Sequence, residues 1–235
     1  MKVNYSYFYL AFFLLLNIFN FVDRNLLIAF APQIKSEFNL TNVQWGLLTG
    51  VYFLFFYSVF GIFMGVLGDK FSRMKIAAAG VFLWSLMTAF TGVAKNFSHL
   101  IVARALIGVG ESALTPNAIS MLSDLFKQNQ RGTASAIYYL GIPLGVGFGM
   151  LIAAFFGPAY GWRSVFITLG LIGMGLGILT YFLLEPRRGQ LDISFDEDNK
   201  STSIRDIISM TKHALYNSKC LTFVIIGSIF LHIPL

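Results

Sequence analysis

Four charged side chains lie inside long apolar stretches of this 235-residue sequence. Asp23 and Arg24 fall in the first apolar run of the chain, and Arg104 and Glu111 fall in the fourth. A charge at the centre of a membrane-spanning helix costs about 2.5–3.5 kcal/mol on insertion scales, so it needs a partner, water or a function. These four residues are therefore the first candidates for chemistry.

Helical spacing places the first two charges on a polar stripe. Asn17, Asn20 and Arg24 are separated by three and four residues, so they share one face of a helix, and Asp23 lies one turn from Asn20. Asp23 and Arg24 are adjacent, so their side chains diverge by about 100° and cannot simply neutralise each other. The stripe predicts contact with another helix or with a water-filled space.

The fourth apolar run carries a second polar stripe. Arg104, Gly108, Glu111 and Thr115 recur at intervals of four, three and four residues, which predicts one polar face on one helix. Arg104 and Glu111 are about 10 Å apart along that helix, because each residue rises about 1.5 Å. They are too far apart to pair directly, so each is expected to reach a neighbouring helix or a water-filled cavity.

We therefore expect a cavity between the first and fourth helices that binds an anionic substrate and protons. The arginines would hold the anionic group, and Asp23 and Glu111 would take up protons. A carboxyl group in low dielectric favours its neutral form, and a nearby arginine favours the ionised form. When substrate binds an arginine, the carboxylate that paired with that arginine would take up a proton. Binding of the substrate and binding of the proton would thus be coupled.

The same residues also allow a purely structural interpretation. Ion pairs, Asp23–Arg104 or Glu111–Arg24, would then only fix the packing of the helices. Two sets of opposite charges on separate spans exceed what packing requires, which favours the functional interpretation. The candidate binding residues are Asn20, Asp23, Arg24, Arg104 and Glu111, and four tyrosines are expected to line the cavity or to pack beside it, Tyr52, Tyr57, Tyr138 and Tyr139.

The composition indicates a membrane protein with an all-α fold. Hydrophobic residues make up 56% of the sequence and charged residues only 12%, whereas soluble domains carry about a quarter charged residues. The single cysteine excludes an internal disulfide framework, and the three scattered histidines form no ligand cluster, so no metal and no cofactor is expected. No nucleophile–base pair or phosphate loop is visible, so the sequence favours neither an enzyme nor a nucleic-acid-binding protein.

Six apolar runs are long enough to cross a bilayer as helices of about 20 residues. They predict a six-helix bundle over 1–185, a cytoplasmic linker over 186–219 and a truncated seventh span over 220–235. Because the seventh span is short and a second bundle is missing as a partner, we expect that these residues alone do not transport. The predicted spans are 5–31, 45–67, 76–94, 99–122, 134–157 and 164–184.

The basic residues predict the orientation of the chain in its membrane. An N-terminus in the cytoplasm places 12 of the 17 Lys and Arg residues on the cytoplasmic side, and cytoplasmic loops carry the excess of positive charge in membrane proteins. The net charge of +6 is therefore a topology signal. We expect a multi-pass protein of the plasma membrane or the bacterial inner membrane, in contact with membrane lipids.

The loop after the second span carries the most specific motif. Residues 65–75 read GVLGDKFSRMK, and they resemble the G-x-x-x-D-[RK]-x-G-x-[RK]-[RK] loop of the major facilitator superfamily. The resemblance implies a gating loop, in which we expect a glycine that lets helices approach closely and an aspartate that caps the next helix or pairs with a basic group. The matching residues are Gly65, Asp69, Lys70 and Arg73.

Further motifs are similar to the spinster-like family within this superfamily. The resemblance implies the N-terminal half of a secondary transporter, with two three-helix repeats of inverted topology, that works by alternating access. It also implies proton-linked movement of lysophospholipids, sphingoid lipids or similar amphiphiles, whereas a likeness to organic-anion symporters of the superfamily implies sugar acids or carboxylates. The motifs are 20–24 (NFVDR), 68–73 (GDKFSR), 108–112 (GVGES), 123–126 (SDLF) and 142–145 (IPLG), while 104–111 (RALIGVGE) is similar to the R-x-x-x-G-x-G motif of the superfamily.

Overall fold

The computed structural model describes residues 2–189 and 191, and helices account for most of that part of the chain. Most of the predicted linker over 186–219 and all of the predicted seventh span over 220–235 lie outside the described residues. The helices are α1 Lys2–Ala29, α2 Ala31–Glu37, α3 Asn42–Gly46, α4 Tyr52–Lys70, α5 Arg73–Gly92, α6 Phe97–Glu111, α7 Leu114–Leu125, α8 Gln128–Tyr139 and α9 Gly141–Phe182, with a π-helical turn, Leu47–Val51, between α3 and α4.

Within residues 2–189 and 191, five helical segments are long and apolar enough to cross a membrane. They are α1, the run from α3 to α4, α5, the run from α6 to α7, and the run from α8 to α9. The last segment, Gln128–Phe182, has 55 residues. A straight helix of that length would extend about 80 Å, far beyond the roughly 30 Å of a bilayer core, so this segment must contain two crossings.

Gly161 divides this long segment. Its backbone angles, φ 74° and ψ 157°, lie outside the helical range and in a region that only glycine adopts readily. Pro158 lies in the preceding turn and has no N–H to donate to the helix. The chain therefore leaves the membrane near this position and re-enters it.

The two halves of α9 pack against different helices, which confirms the reversal. Before the break, Gly145 and Gly149 lie against successive turns of α1 in the same order, so this half runs parallel to α1. After the break, Gly170 and Gly177 lie against successive turns of α5 in the opposite order, so this half runs antiparallel to α5. The described chain thus makes six crossings, and the prediction of an all-α six-helix bundle is confirmed.

The predicted fourth span over 99–122 consists of two helices, α6 and α7, which corrects the prediction of one continuous helix. The amide of Ala113 donates to the carbonyl oxygen of Gly110 at 3.2 Å, which forms a tighter turn than an α-helix. Pro116 follows in the first turn of α7 and has no N–H with which to continue the α-helical pattern. Thr115 therefore lies on α7, beyond the break.

Glycines set the close helix crossings of the bundle. On α6, a Cβ at Gly108 would lie 2.8 Å from the carbonyl oxygen of Phe53 on α4, so only glycine lets these two parallel helices lie this close. The contact of α6 with α4 corresponds to that of α1 with the first half of α9, as two inverted three-helix repeats require. The crossing brings the end of α6, with Glu111, beside Phe53.

A glycine on the other side of α6 offers a test of this packing. Gly110→Ala is expected to lower the free energy of unfolding by about 1–3 kcal/mol through overpacking. The new Cβ would lie 2.8 Å from the carbonyl oxygen of Gly80 and 2.8 Å from the amide nitrogen of Trp84, both backbone atoms of α5. Gly175→Ala is the matched control, because nothing lies within 4 Å of a Cβ there. Thermal unfolding in detergent checks the prediction, and equal midpoints for the two variants would contradict it.

Polar contacts connect the end of α2, the end of α5 and the turn within α9 at one end of the bundle. Glu37 accepts hydrogen bonds from Arg163 Nε at 3.1 Å, from Arg163 Nη2 at 2.7 Å and from Trp162 Nε1 at 2.8 Å. Arg163 Nη1 also donates to the carbonyl oxygen of Gly92, the last residue of α5, at 2.9 Å. This contact fixes the turn between the two halves of α9 against α2 and α5.

The hydrogen bonds from Arg163 lower the pKa of Glu37, and they outweigh the opposing effect of its slight burial. A lowered folded-state pKa means that the contact stabilises the protein above the ordinary glutamate value of about 4.3 and loses this effect as the pH falls below it. We therefore expect Glu37→Gln to be less stable than the wild type at pH 6, with a difference that shrinks toward pH 3. Thermal midpoints across this range check the prediction, and a constant difference would contradict it.

Candidate functional site

An ion pair joins α1 to α6 in the middle of the bundle. Arg24 Nε donates to Glu111 Oε2 at 2.5 Å. The side chain of Glu111 is completely buried, and that of Arg24 is 22% exposed. Of the two ion pairs considered from the sequence, the described residues form this one and not an Asp23–Arg104 pair. The contact between Arg24 and Glu111 is thus one of the two alternatives that the packing interpretation left open.

Three aromatic rings surround the guanidinium of Arg24. The ring centroids of Phe21, Phe53 and Tyr57 lie 4.9, 4.8 and 4.8 Å from its Cζ atom. Cation–π contacts of this kind contribute about 0.5–2 kcal/mol each, most where water is absent. Tyr57 was predicted to line the site, whereas Phe21 and Phe53 were missed. Phe21 lies one turn before Arg24, whereas no charged residue lies near Phe53 in the sequence.

Arg104 also contacts the Phe53 ring. Its Cζ atom is 4.6 Å from the ring centroid, so Phe53 contacts two guanidinium groups. The residue is only 6% exposed, and its Nε atom has no hydrogen-bond partner in the described part of the chain. A buried guanidinium without a hydrogen-bond acceptor is costly, so this side chain is poised to bind one.

Asp23 contacts α5 rather than either arginine. Its Oδ2 atom lies 2.5 Å from Oγ1 of Thr88, and that hydroxyl also lies 2.9 Å from the carbonyl oxygen of Trp84. A hydroxyl has one proton to donate, and a carbonyl oxygen can only accept. The Thr88 proton is therefore donated to Asp23 or to Trp84, and donation to Trp84 lets a protonated Asp23 donate to Thr88 in turn.

Asparagine side chains continue the polar stripe of α1. Asn17 Nδ2 donates to the carbonyl oxygen of Tyr138 at 2.8 Å, which ties α1 to α8. Asn20 is 3% exposed, and its Nδ2 atom has no hydrogen-bond partner among the described residues. One carboxylate oxygen of Asp23 and one of Glu111 are also buried without a hydrogen-bond partner among the described residues. The site thus contains spare donors and acceptors on both helices.

The four predicted tyrosines have different surroundings. Tyr138 is buried, and its hydroxyl lies 3.1 Å from Oγ1 of Thr115. The rings of Tyr139 and Tyr138 pack edge to face. Tyr139 is 44% exposed, so it lies at the surface of the bundle. Tyr52 is partly exposed at the first position of α4, while Tyr57 faces Arg24.

A second polar network lies at the end of the bundle where α5 begins, and Arg73 is its centre. This side chain is only 5% exposed. It donates to Asp124 Oδ2 at 2.6 Å, to Ser120 Oγ at 2.9 Å and to Glu185 Oε1 at 2.9 Å. Arg73 was predicted as part of a gating loop, and the structure shows that its contacts reach α7 and the chain after α9.

Two expectations for this loop need correction. Ser72 rather than Asp69 caps α5, because Ser72 Oγ accepts a hydrogen bond from the backbone amide of Lys75 at 3.3 Å. A Cβ at Gly65 would have nothing within 4 Å, and the close approach is instead at Gly68, where a Cβ would contact Asn117 of α7. Lys70 is exposed at the last position of α4, as a solvated basic residue would be.

The chain after α9 crosses the ends of several helices, and we call residues 184–189 the strap. Tyr9 on α1 donates to the carbonyl oxygen of Leu184 at 2.6 Å. Arg188 donates to the carbonyl oxygens of Gly68, Asp69 and Phe71, which satisfies backbone acceptors at the end of α4. The strap thereby links α1, α4, α5 and α7, a connection that sequence reasoning missed.

Two strap residues bond to the Arg73 network itself. Partial burial works against the ionisation of Glu185, but hydrogen bonds from Ser72 and Arg73 outweigh it and lower the pKa of this carboxyl group. The amide of Gly189 donates to Asp124 Oδ1 at 2.9 Å. Glu185 is therefore an ionised partner of Arg73 at neutral pH, and Asp124 bonds to both Arg73 and Gly189.

No group of three or more His, Cys, Asp or Glu side chains that could hold a metal ion occurs within residues 2–189 and 191. The two polar networks instead combine arginines with carboxylates and hydroxyls. Such groups bind anions and exchange protons, and they need no metal to do so.

Comparisons with known proteins agree with this geometry. The family model of the Major Facilitator Superfamily matches residues 13–235. The sphingosine-1-phosphate transporter of Danio rerio is 32% identical over 180 residues, which are 75% of this chain and 36% of that protein. The probable L-galactonate transporter of Escherichia coli strain K12 is 29% identical over 170 residues, 72% of this chain and 37% of that protein.

A solved structure shows the same fold. It is a bacterial homologue of the human lysosomal transporter spinster, in an inward-facing and occupied conformation. The match has a TM-score of 0.71 and 30% sequence identity, and it covers 80% of this chain and 46% of that one. The chain thus spans between about a third and about half of the length of the proteins it resembles.

Proposed function

Since this chain belongs to the Major Facilitator Superfamily and is similar to its spinster-like members, we propose that it forms the N-terminal half of a proton-coupled transporter. The transported substrate is a lipid-like amphiphile or an organic anion, and movement occurs by alternating access between two bundles. The family is one of transporters rather than enzymes. The observation that carries the proposal is the buried charge cluster of Asp23, Arg24, Arg104 and Glu111.

Proton coupling follows from two features of the charge cluster. Thr88 can donate to an ionised Asp23 or, when its proton bonds to Trp84, accept from a protonated Asp23, so this carboxyl group has a hydrogen-bond partner in both protonation states. Glu111 is held by Arg24, and an anionic substrate that takes its place on Arg24 would leave a buried carboxylate without a partner. Such a charge costs several kcal/mol, so uptake of a proton would accompany substrate binding.

The substrate class follows from what surrounds the arginines. Phe21, Phe53 and Tyr57 offer apolar ring surface beside a cationic group, which suits a molecule with an anionic head and an apolar tail. The similarity to a sphingosine-1-phosphate transporter supports this choice. The alternative substrate is a sugar acid or another carboxylate, which the similarity to a probable L-galactonate transporter supports.

We place the N-terminus and the strap in the cytoplasm, because this orientation puts most Lys and Arg residues on that side. The protein is then a multi-pass protein of a plasma membrane or a bacterial inner membrane. In this orientation the Arg73 network and the strap close the cytoplasmic end of the N-terminal bundle, where a gate that opens inward is required.

The test is uptake by the full-length protein reconstituted in vesicles under an imposed pH gradient. Fluorescent lysophospholipids, a phosphorylated sphingoid base and a sugar acid are offered in parallel. Gradient-dependent, saturable uptake of an amphiphile supports the first choice of substrate, and uptake of the sugar acid alone supports the alternative. Equal uptake with and without the gradient would contradict proton coupling.

Asp23→Asn tests the protonated position of this residue. Asparagine can donate from Nδ2 to Thr88, as a protonated carboxyl group does, so the variant should fold and bind substrate normally. It cannot release a proton, so we expect gradient-driven accumulation to fall at least tenfold while exchange of substrate across the membrane without a gradient is retained. Parallel loss of both activities, or retention of both, would contradict this assignment.

A further inference from the structure

The hydroxyl of Thr88 on α5 is the hydrogen-bond partner that the described residues offer to the carboxyl group of Asp23. Thr88 Oγ1 and Asp23 Oδ2 lie 2.5 Å apart, and both residues are buried, with 1% and 3% of their surfaces exposed. The other carboxyl oxygen, Oδ1, has no hydrogen-bond partner in the described part of the chain. The hydrogen bonding of this carboxyl group therefore depends on one hydroxyl.

Thr91, one turn further along α5, offers a comparison within the same helix. Its hydroxyl donates to the carbonyl oxygen of Met87, four residues earlier, at 2.9 Å. Thr88 Oγ1 lies at the same distance from the carbonyl oxygen of Trp84, which is also four residues earlier. Thr88 thus has the ordinary arrangement of a threonine inside a helix, and the contact with Asp23 is added to it.

The charged groups that face Asp23 come from α1 and α6. Arg104 and Glu111 face it from α6, and Arg24 follows it on α1. Helix α5 carries its two charged residues in its first turn, and the one charged residue of α9, Arg163, lies at the far end of the bundle. What α5 presents to this carboxyl group is therefore a neutral hydroxyl.

We propose that Thr88 is a positioning residue that sets the proton affinity of Asp23. Its hydroxyl donates to the ionised carboxylate, and it accepts from the protonated group when its own proton bonds to Trp84. A hydrogen bond to a charged group is roughly twice as strong as one between neutral groups, so Thr88 favours release of the proton. The inference rests on the proposed function, in which Asp23 must release protons as well as bind them.

The test is infrared difference spectroscopy of the purified full-length protein, titrated with acid in the absence of substrate and gradient. The carbonyl stretching band of protonated Asp23 is the band that Asp23→Asn removes. In Thr88→Val the ionised carboxylate loses its donor, so the midpoint of this band should move up by about one pH unit, which is about a tenfold gain in proton affinity. Thr88→Ser keeps the hydroxyl and should restore the wild-type midpoint.

Thr91→Val is the matched control, because it removes another buried hydroxyl of α5 and should leave the midpoint unchanged. Thr88→Ala also lacks the hydroxyl, so either Thr88 variant that folds decides the result. A wild-type midpoint in that variant, an equal shift in Thr91→Val, or no band that depends on Asp23 would overturn the proposal. Uptake is measured on the same proteins, and a midpoint that depends on Thr88 without gradient-driven uptake would uphold the role of Thr88 and contradict coupled transport.

Discussion

Glu111→Gln is expected to reduce gradient-driven uptake by the full-length protein to the level of empty vesicles. The substitution preserves the shape of the side chain but removes the charge that holds Arg24 at 2.5 Å. Glutamine cannot take up or release a proton, so the exchange of Glu111 for an anionic substrate on Arg24 no longer moves one. Uptake under imposed pH gradients measures the effect.

A matched control separates this effect from a general loss of negative charge. Glu37→Gln also removes one carboxylate, but Glu37 bonds to Arg163 at the far end of the bundle, so uptake should stay within twofold of the wild type. Removing one partner of a buried ion pair costs about 3–5 kcal/mol, so the thermal midpoint of Glu111→Gln must also be measured. Normal gradient-driven uptake by a folded Glu111→Gln variant would refute the coupling and leave the ion pair as a packing contact.

The sequence predicts the charge cluster but only part of its pairing. The spacing of Asn17, Asn20 and Arg24 correctly identifies a buried face of α1, because helical periodicity depends on local geometry alone. Spacing cannot show which carboxylate meets which arginine, since that depends on the rotation of one helix against another. The ion pair of Arg24 with Glu111 was therefore one of two open choices, and the contact of Asp23 with Thr88 was not predicted.

Aromatic and glycine residues show the limit more sharply. The sequence has 25 phenylalanines, and nothing local marks Phe53 as the ring that contacts two guanidinium groups. The motif singles out Gly65, yet of these two glycines it is Gly68 that lies close to a neighbouring helix, because α4 presents that face to α7. The strap was missed for the same reason, since most of its contacts join residues more than 100 positions apart.

Arg73→Gln is expected to lower the free energy of unfolding by about 3–5 kcal/mol and to release the strap from α5 and α7. Arg73 bonds to both Asp124 and Glu185, at 2.6 and 2.9 Å. Without its guanidinium, Asp124 and Glu185 lose the partner that they share. The strap should then detach, because Gly189 is held through Asp124.

Amide hydrogen exchange measures this release directly. The amide of Gly189 donates to Asp124 in the closed arrangement, so its exchange should accelerate at least tenfold in Arg73→Gln. Lys70→Gln is the matched control, because it removes a positive charge from the same loop at an exposed position and should change stability by less than about 0.5 kcal/mol. Arg73→Lys keeps the positive charge but lacks the planar guanidinium. Compared with Arg73→Gln, it should recover part of the free energy of unfolding and a smaller part of the protection of the Gly189 amide from exchange.

Loss of stability and release of the strap need not occur together, and their separation decides what Arg73 does. Arg188 also anchors the strap through the carbonyl oxygens of Gly68 and Phe71, at 2.7 and 2.6 Å. If exchange at Gly189 stays slow in Arg73→Gln while the thermal midpoint falls, Arg188 holds the strap and Arg73 only satisfies buried carboxylates. If exchange accelerates in Arg73→Gln and is unchanged in Arg188→Gln, Arg73 is the latch, and a conformational change that separates it from Asp124 or Glu185 would open this end of the bundle.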